Sequence, residues 1–144
     1  MTLYQGNDFT LTLPNGLQDN TIHVFAVSQD SPGDFGLVIH RDTLVPGETV
    51  EDYVIRQKAA IAGKLADLCV VRELRTEIAG LPAVELEFTW RHEGRPVQQR
   101  QACVACGTRV WIVTGTFQES TGSEWLRAYD GALRTLRLQP SREP

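Results

Sequence analysis

The sequence predicts an α+β domain, an antiparallel β-sheet of about six or more strands with two main helices packed on it. Three observations carry this. Most of the chain reads as strands of alternating character joined by hairpin-type turns. Only two segments have helical spacing, one mid-chain and one at the end. Two early runs, Thr21-Ile-His-Val-Phe-Ala-Val27 and Phe35-Gly-Leu-Val-Ile-His-Arg41, are apolar on both faces. Strand side chains alternate, so Phe25 and Val27 point one way while Ile22, Val24 and Ala26 point the other. In the second run Phe35, Leu37 and Ile39 oppose Val38.

The elements follow in order. Short strands near Leu3–Gln5 and Phe9–Leu13 open the chain, and Pro14-Asn-Gly16 turns it into the Ile22 strand. Ser31-Pro-Gly-Asp34 turns it again into the Phe35 strand. Pro46-Gly47 precedes the first helix, with Thr49 as N-cap and Glu48, Glu51 and Asp52 near its positive end. Val50, Tyr53, Val54, Gln57, Ile61 and Leu65 form one stripe at helical spacing, and Gly63 weakens the helix end. In Ala83–Arg91, Val84, Leu86, Phe88 and Trp90 alternate with Glu85, Glu87, Thr89 and Arg91. His92-Glu-Gly-Arg95 makes a hairpin into Pro96–Ala105, and Gly107-Thr108 turns into Val110–Phe117. Thr121-Gly-Ser-Glu124 has capping-box spacing for a last helix with the stripe Trp125, Leu126, Tyr129, Leu133 and Leu136.

Two helices suffice to cover one face of such a sheet, and the other face is normally polar, as Glu85, Glu87 and Thr89 are. The Ile22/Val24/Val38 side breaks that pattern and is an apolar surface in want of a partner, while the Phe25/Val27 side is assigned to the core. Residues 1–138 read as one domain and 139–144 as a disordered tail.

The net charge of −4 argues against a nucleic-acid partner and against electrostatic attachment to anionic lipid. The N-terminus lacks the charged and apolar regions of an export signal, and no run approaches the roughly 18 apolar residues of a membrane span. Three cysteines fit a reducing compartment better than a disulfide framework. The expectation is a cytoplasmic protein without direct membrane anchoring.

Cys103-Val-Ala-Cys106 is a C-x-x-C, but structural zinc needs four ligands, and Cys69, His23, His40 and His92 have no matching spacing. A redox pair belongs at a helix N-terminus, whereas Cys103 lies in a strand pattern with Cys106 on the opposite face. Packing residues are the favoured reading, ahead of metal and redox roles. His40 and Asp42 share a strand face, which permits a base oriented by a carboxylate, yet no nucleophile motif or phosphate loop accompanies them. A strand end with local contacts, or an interface, competes with that reading. Gln57 and Gln101 interrupt apolar stripes. A buried amide without partners costs about 1–3 kcal/mol, so they either satisfy internal groups or act as polar handles in an apolar cleft.

Taken together, Met1-Thr-Leu-Tyr4, Thr21-Ile-His-Val-Phe25, Val38-Ile-His-Arg-Asp42, Asp52-Tyr-Val-Ile-Arg-Gln57 and Arg100-Gln101 resemble the Eag chaperone family of bacterial type VI secretion systems, within the DcrB-like superfamily. The resemblance runs from Met1 to about Leu136. It implies a Mog1/PsbP-like fold, a homodimer, no enzymatic activity and no cofactor. It also implies a partner: a type VI secretion effector, often PAAR-containing, whose N-terminal transmembrane segments are shielded before loading on the secretion spike. Carried over by motif position, the effector-helix face comprises Ile22, Val24, Val38, Gln57, Leu65 and Gln101, with His40 at its edge. A DcrB-like interaction module, toxin-neutralising or accessory, is the second reading, and a small hydrolase or redox enzyme the third.

Overall fold

The computed structural model describes residues 1–27 and 35–139. The expected turn at Ser31-Pro-Gly-Asp34 and residues 140–144 of the expected disordered tail lie outside the described residues. The described elements are β1 (Thr2–Gln5), β2 (Thr10–Leu13), β3 (His23–Ala26), β4 (Phe35–Thr43), α1 (Val50–Ala62), β5 (Ala66–Ile78), β6 (Leu81–His92), β7 (Arg95–Cys106), β8 (Arg109–Phe117) and α2 (Ser123–Thr135). β1 and β2 pair as a separate hairpin. The other six strands form one antiparallel sheet in the order β3-β4-β8-β7-β6-β5. The α+β class is therefore borne out.

Tight hairpins set the register of the central strands. Ala79-Gly80 and Glu93-Gly94 all have positive φ, between 51° and 77°, as two-residue turns of the type I′ kind require. The Glu93-Gly94 turn was legible in the sequence, but the strand before Ala79 was not. β5 is an edge strand with register shifts between Ala66 and Cys69 and between Val70 and Arg72, so its side chains do not keep a clean alternation.

The helices do not share a face. Alternate residues of the same strands feed two separate cores. Val84, Cys103 and Ile112 pack with Val50, Tyr53 and Val54 of α1. Their neighbours Ala83, Ala102 and Val113 pack with Tyr129 and Leu133 of α2. The central strands are apolar on both sides, so each side takes one helix, and two helices on one face would leave the other core bare. Glu85, Glu87 and Thr89 lie on the α2 face toward β5, outside the apolar cluster under that helix.

The first helix begins as expected. Thr49 Oγ1 accepts from Asp52 N at 3.2 Å and Asp52 Oδ2 accepts from Thr49 N at 3.1 Å, a reciprocal capping box. It ends at Gly63, so Leu65 follows the helix and packs under its end rather than extending the stripe. The capping box expected at Thr121–Glu124 does not form. Gly122 is the N-cap, and Thr121 Oγ1 accepts from Gln118 N at 2.8 Å, closing the turn before the helix. The stripe Trp125, Leu126, Tyr129, Leu133 and Leu136 does face the sheet, with Trp125 stacked on Phe35 at 5.3 Å between ring centroids.

The Phe25/Val27 side is a correction. Phe25 is 53% exposed and Val27 51%, and neither joins a core, because β3 lies at the sheet edge beyond the reach of α2. Both faces of that edge are bare. Among the described residues no helix is long and apolar enough to cross a membrane.

Gly115 holds α2 in place. It pairs with Arg100, and the Tyr129 ring lies over that pair with its hydroxyl donated to the Val113 carbonyl at 3.0 Å and the Arg100 guanidinium 5.0 Å from its centroid. A Cβ on Gly115 would sit 2.7 Å from Tyr129 Cδ2. Gly115→Ala is therefore expected to destabilise the fold by about 1–3 kcal/mol, the usual cost of overpacking. Urea unfolding measures it, and an unchanged midpoint would show that Tyr129 moves freely.

Candidate functional site

The strand register lays out the α1 face in rows. One row runs Val24–Val38–Thr114–Gln101–Leu86 across β3, β4, β8, β7 and β6. Exposure falls along it, from 67% at Val24 through half-buried Val38 and Thr114 to 6% at Gln101 and 2% at Leu86. A second row runs Ala26–Gly36–Thr116–Gln99–Phe88, and a third His40–Ile112–Cys103–Val84. The gradient marks where the helix stops. α1 packs over β5–β7 and the Val110–Ile112 end of β8, and leaves β3, the Val38 part of β4 and the Thr114–Thr116 part of β8 uncovered.

Two anchors set this diagonal. At its N-terminal end, Tyr53, fully buried, donates its hydroxyl to Asp42 Oδ2 at 2.9 Å near the end of β4. Burial, with the Asp42 carboxylate beside it, pushes the Tyr53 phenol well above its ordinary range, so the donor stays protonated. On the other flank, Lys58 pairs with Glu73 at 2.7 Å and Arg75 with Glu51 at 2.9 Å, tying α1 to β5. These exposed pairs fix orientation more than they add stability.

Polar side chains form a ladder across the floor. Trp90 Nε1 donates to Gln99 Oε1 at 2.9 Å, and Gln99 Nε2 donates to Thr116 Oγ1 at 2.9 Å. One step along, Gln101 Nε2 donates to Thr114 Oγ1 at 3.3 Å, and the Cys103 thiol lies 3.9 Å from Gln101 Oε1. Gln101 thus has internal partners, the first of the two roles open to it. Gln57, half-buried on the sheet-facing stripe of α1, makes no side-chain hydrogen bond among the described residues.

Of the sequence-derived set, the structure brings Val24, Val38 and Gln101 into one row, with His40 in the next. Ile22, 59% exposed, immediately precedes β3. Gln57 faces the sheet from above. Leu65, like Ile61, Leu68 and Trp90, packs against the covered core under α1 and does not join the open part. Thr114, Thr116, Gln99 and Trp90 escaped the sequence reading. Their signal was the Thr-Gly-Thr run at 114–116, which the Gly107 hairpin sets opposite Gln99 and Gln101.

His40 is half-buried, and burial holds its imidazole below the ordinary value of 6.5, against the opposing pull of Asp42. The C-x-x-C behaves as a packing element. Cys103 is fully buried, Cys106 lies on the other face, and both are free thiols. Among the described residues no three of His, Cys, Asp or Glu gather as a metal site. A different opening lies under the β1–β2 hairpin. It is a cleft of about 920 Å³ lined by Tyr4, Phe9, Leu11, Leu13, Leu17 and His23, among others.

Burial pushes the Cys103 thiol up to about 12. A thiol reagent at pH 8 is therefore expected to label exposed Cys69 in the native protein and to spare Cys103 until the chain unfolds. Equal labelling rates at the two residues would mean that the core under α1 opens readily.

The DcrB family model matches residues 9–134. A Pseudomonas aeruginosa protein named Effector EagT6 is 29% identical over 142 residues, spanning 98% of this chain and 99% of its own. The crystal structure of a Pseudomonas aeruginosa protein of unknown function superposes with a TM-score of 0.81 at 28% identity, covering 98% of this chain and 99% of that one. PsbP from the cyanobacterium Synechocystis superposes with a TM-score of 0.51 at 11% identity, over 92% of this chain and 88% of its own, a likeness of fold alone. The PsbP-like fold and the Eag-type resemblance read from the sequence are both met. By the extent of the family match, the chain belongs to the DcrB family.

Proposed function

We propose that this protein is a chaperone that shields N-terminal transmembrane segments of a type VI secretion effector in the cytoplasm before loading on the secretion spike. The observation that carries the reading is the half-covered α1 face. Strands lie about 4.8 Å apart, so the three strands β3, β4 and β8 that border the opening together present a strip about 14 Å wide. A helix with its side chains is about 10–12 Å across, so one guest helix fits beside α1. Ile22, Val24 and Val38 supply an apolar wall, and each large aliphatic group buried there contributes roughly 1.5–3 kcal/mol. Gln57 offers an unengaged amide to a polar group on the guest, as polar side chains do between membrane helices. The full-length likeness to a protein named Effector EagT6 points to the same class of partner. No step of this function calls for a cofactor or for bond-making chemistry.

The reading includes a homodimer. A lone two-stranded hairpin of four-residue strands is marginal in water. Here β1–β2 leaves Leu3 70%, Phe9 52% and Leu17 63% exposed beside the bare β3 edge. A second copy is the simplest cover for both.

Co-expression with the hydrophobic N-terminal segment of a neighbouring effector is expected to give a soluble complex. Ile22→Asp and Val24→Asp should abolish it, yet change chaperone stability by no more than about 0.5 kcal/mol, since both sites are exposed. A segment that stays soluble with the Asp variants would show the face to be wrong. Capture of the effector's toxin domain, without its membrane segments, would favour a toxin-neutralising module instead. Sedimentation should give a dimer for the whole chain and a monomer after removal of residues 1–13. A monomeric whole chain would end the dimer reading.

A further inference from the structure

We propose that His40 makes the groove proton-sensitive, so that it holds an apolar helix near neutral pH and releases it as the imidazole gains a charge. This rests on the reading that the groove accepts such a helix. The inference starts from position. His40 stands where the covered and open parts of the α1 face meet. Its cross-strand neighbour Ile112 and the next residue of the row, Cys103, are fully buried under α1, whereas Val38 and Ile22 on its other flank border the open groove. A guest lying against Ile22, Val24 and Val38 therefore removes the remaining water from this side chain.

The groups around it offer little to a cation. On its own strand Asp42 faces the same side, with Oδ2 accepting from the Tyr53 hydroxyl of α1 and Oδ1 from Thr43 N at 2.8 Å. Arg56 of α1 is held by Glu48 at 2.9 Å and lies over the Tyr53 ring at 4.9 Å, adding positive rather than negative charge. From β8 the facing residues are Val110, Ile112 and Thr114, and from β7 the protonated Cys103. Toward β3 come Ile22 and Val24, while His23 alternates to the opposite face against Ile39. Asp42 is thus the single carboxylate acting on the imidazole among the described residues, and the imidazole makes no hydrogen bond among them. Burial already disfavours its charged form in the empty groove, and a guest deepens that burial.

The sign follows from linkage. The neutral imidazole is the form that tolerates the guest, so affinity is full above the free-state pKa. It falls as pH drops through that value, by at most about tenfold per pH unit for one proton, until the still lower bound-state value is passed.

The test uses the full chain and a lysine-flanked peptide of twenty alternating leucines and alanines, with affinity measured from pH 7.5 to 5.5. Wild-type affinity should fall as pH drops across that range, by no more than about tenfold per pH unit. His40→Gln should show an affinity that no longer varies with pH, whatever its value at pH 7.5. Asp42→Asn should move the wild-type fall to lower pH, because the carboxylate that favours the imidazolium is gone. His92→Gln, at the far end of β6, should keep the wild-type profile. Binding at pH 7.5 with no fall in wild type, or the same fall in His40→Gln, overturns the proton-sensitive groove and leaves the chaperone reading standing. No binding by wild type at pH 7.5 overturns both.

Discussion

A helix about 10–12 Å across lies on a sheet face about 24 Å wide, and most of what distinguishes this molecule follows from that mismatch. β7 and β8, with Ala83 and Val84 of β6, bury apolar residues on both sides, so neither face is allowed to remain bare, and the described residues supply one long helix for each. A single helix reaches about half of a six-stranded face. Which half it reaches is set by the Tyr53–Asp42 hydrogen bond at one end and the Glu51–Arg75 and Lys58–Glu73 pairs along β5. The remaining half is a consequence of geometry, and its surface is what the strands β3, β4 and β8 bring to it.

That surface combines two solvents. The outer wall is hydrocarbon, and the floor is a row of amides and hydroxyls that satisfy one another through Trp90, Gln99, Thr116, Gln101 and Thr114. A buried polar network of this kind carries no penalty when it is complete. It also fixes the side chains of the floor in one arrangement. Gln57 stands apart because its amide is left over. His40 stands apart because it is a titratable group, half-buried where the covered and open parts of the face meet.

Much of the architecture was legible along the chain. The alternation from Val84 to Trp90, the Glu93-Gly94 turn, the Thr49 cap and the Trp125–Leu136 stripe each encode a local preference that the fold keeps. β5 was hidden because bulges break its alternation, and an edge strand with one paired side needs little apolar patterning to hold it. The capping box at Thr121 failed because the turn from β8 takes the Thr121 hydroxyl first. Leu65 was read onto the helix because spacing alone does not record that Gly63 ends it. The polar ladder needed register, since Gln99 and Thr116 are far apart in sequence and meet only across a hairpin.

The sequence by itself determined the α+β class, the apolar excess in the Ile22 and Phe35 runs, and the family to which the chain belongs, because these depend on local periodicity and residue identity. Only the tertiary structure decided which faces of those runs remain open. The two helices go to opposite sides of the sheet because adjacent residues of one strand must both be buried. That partition covers the Ile112 and Val113 sides of β8 and leaves both sides of β3, Val24 and Phe25 alike, without a helix.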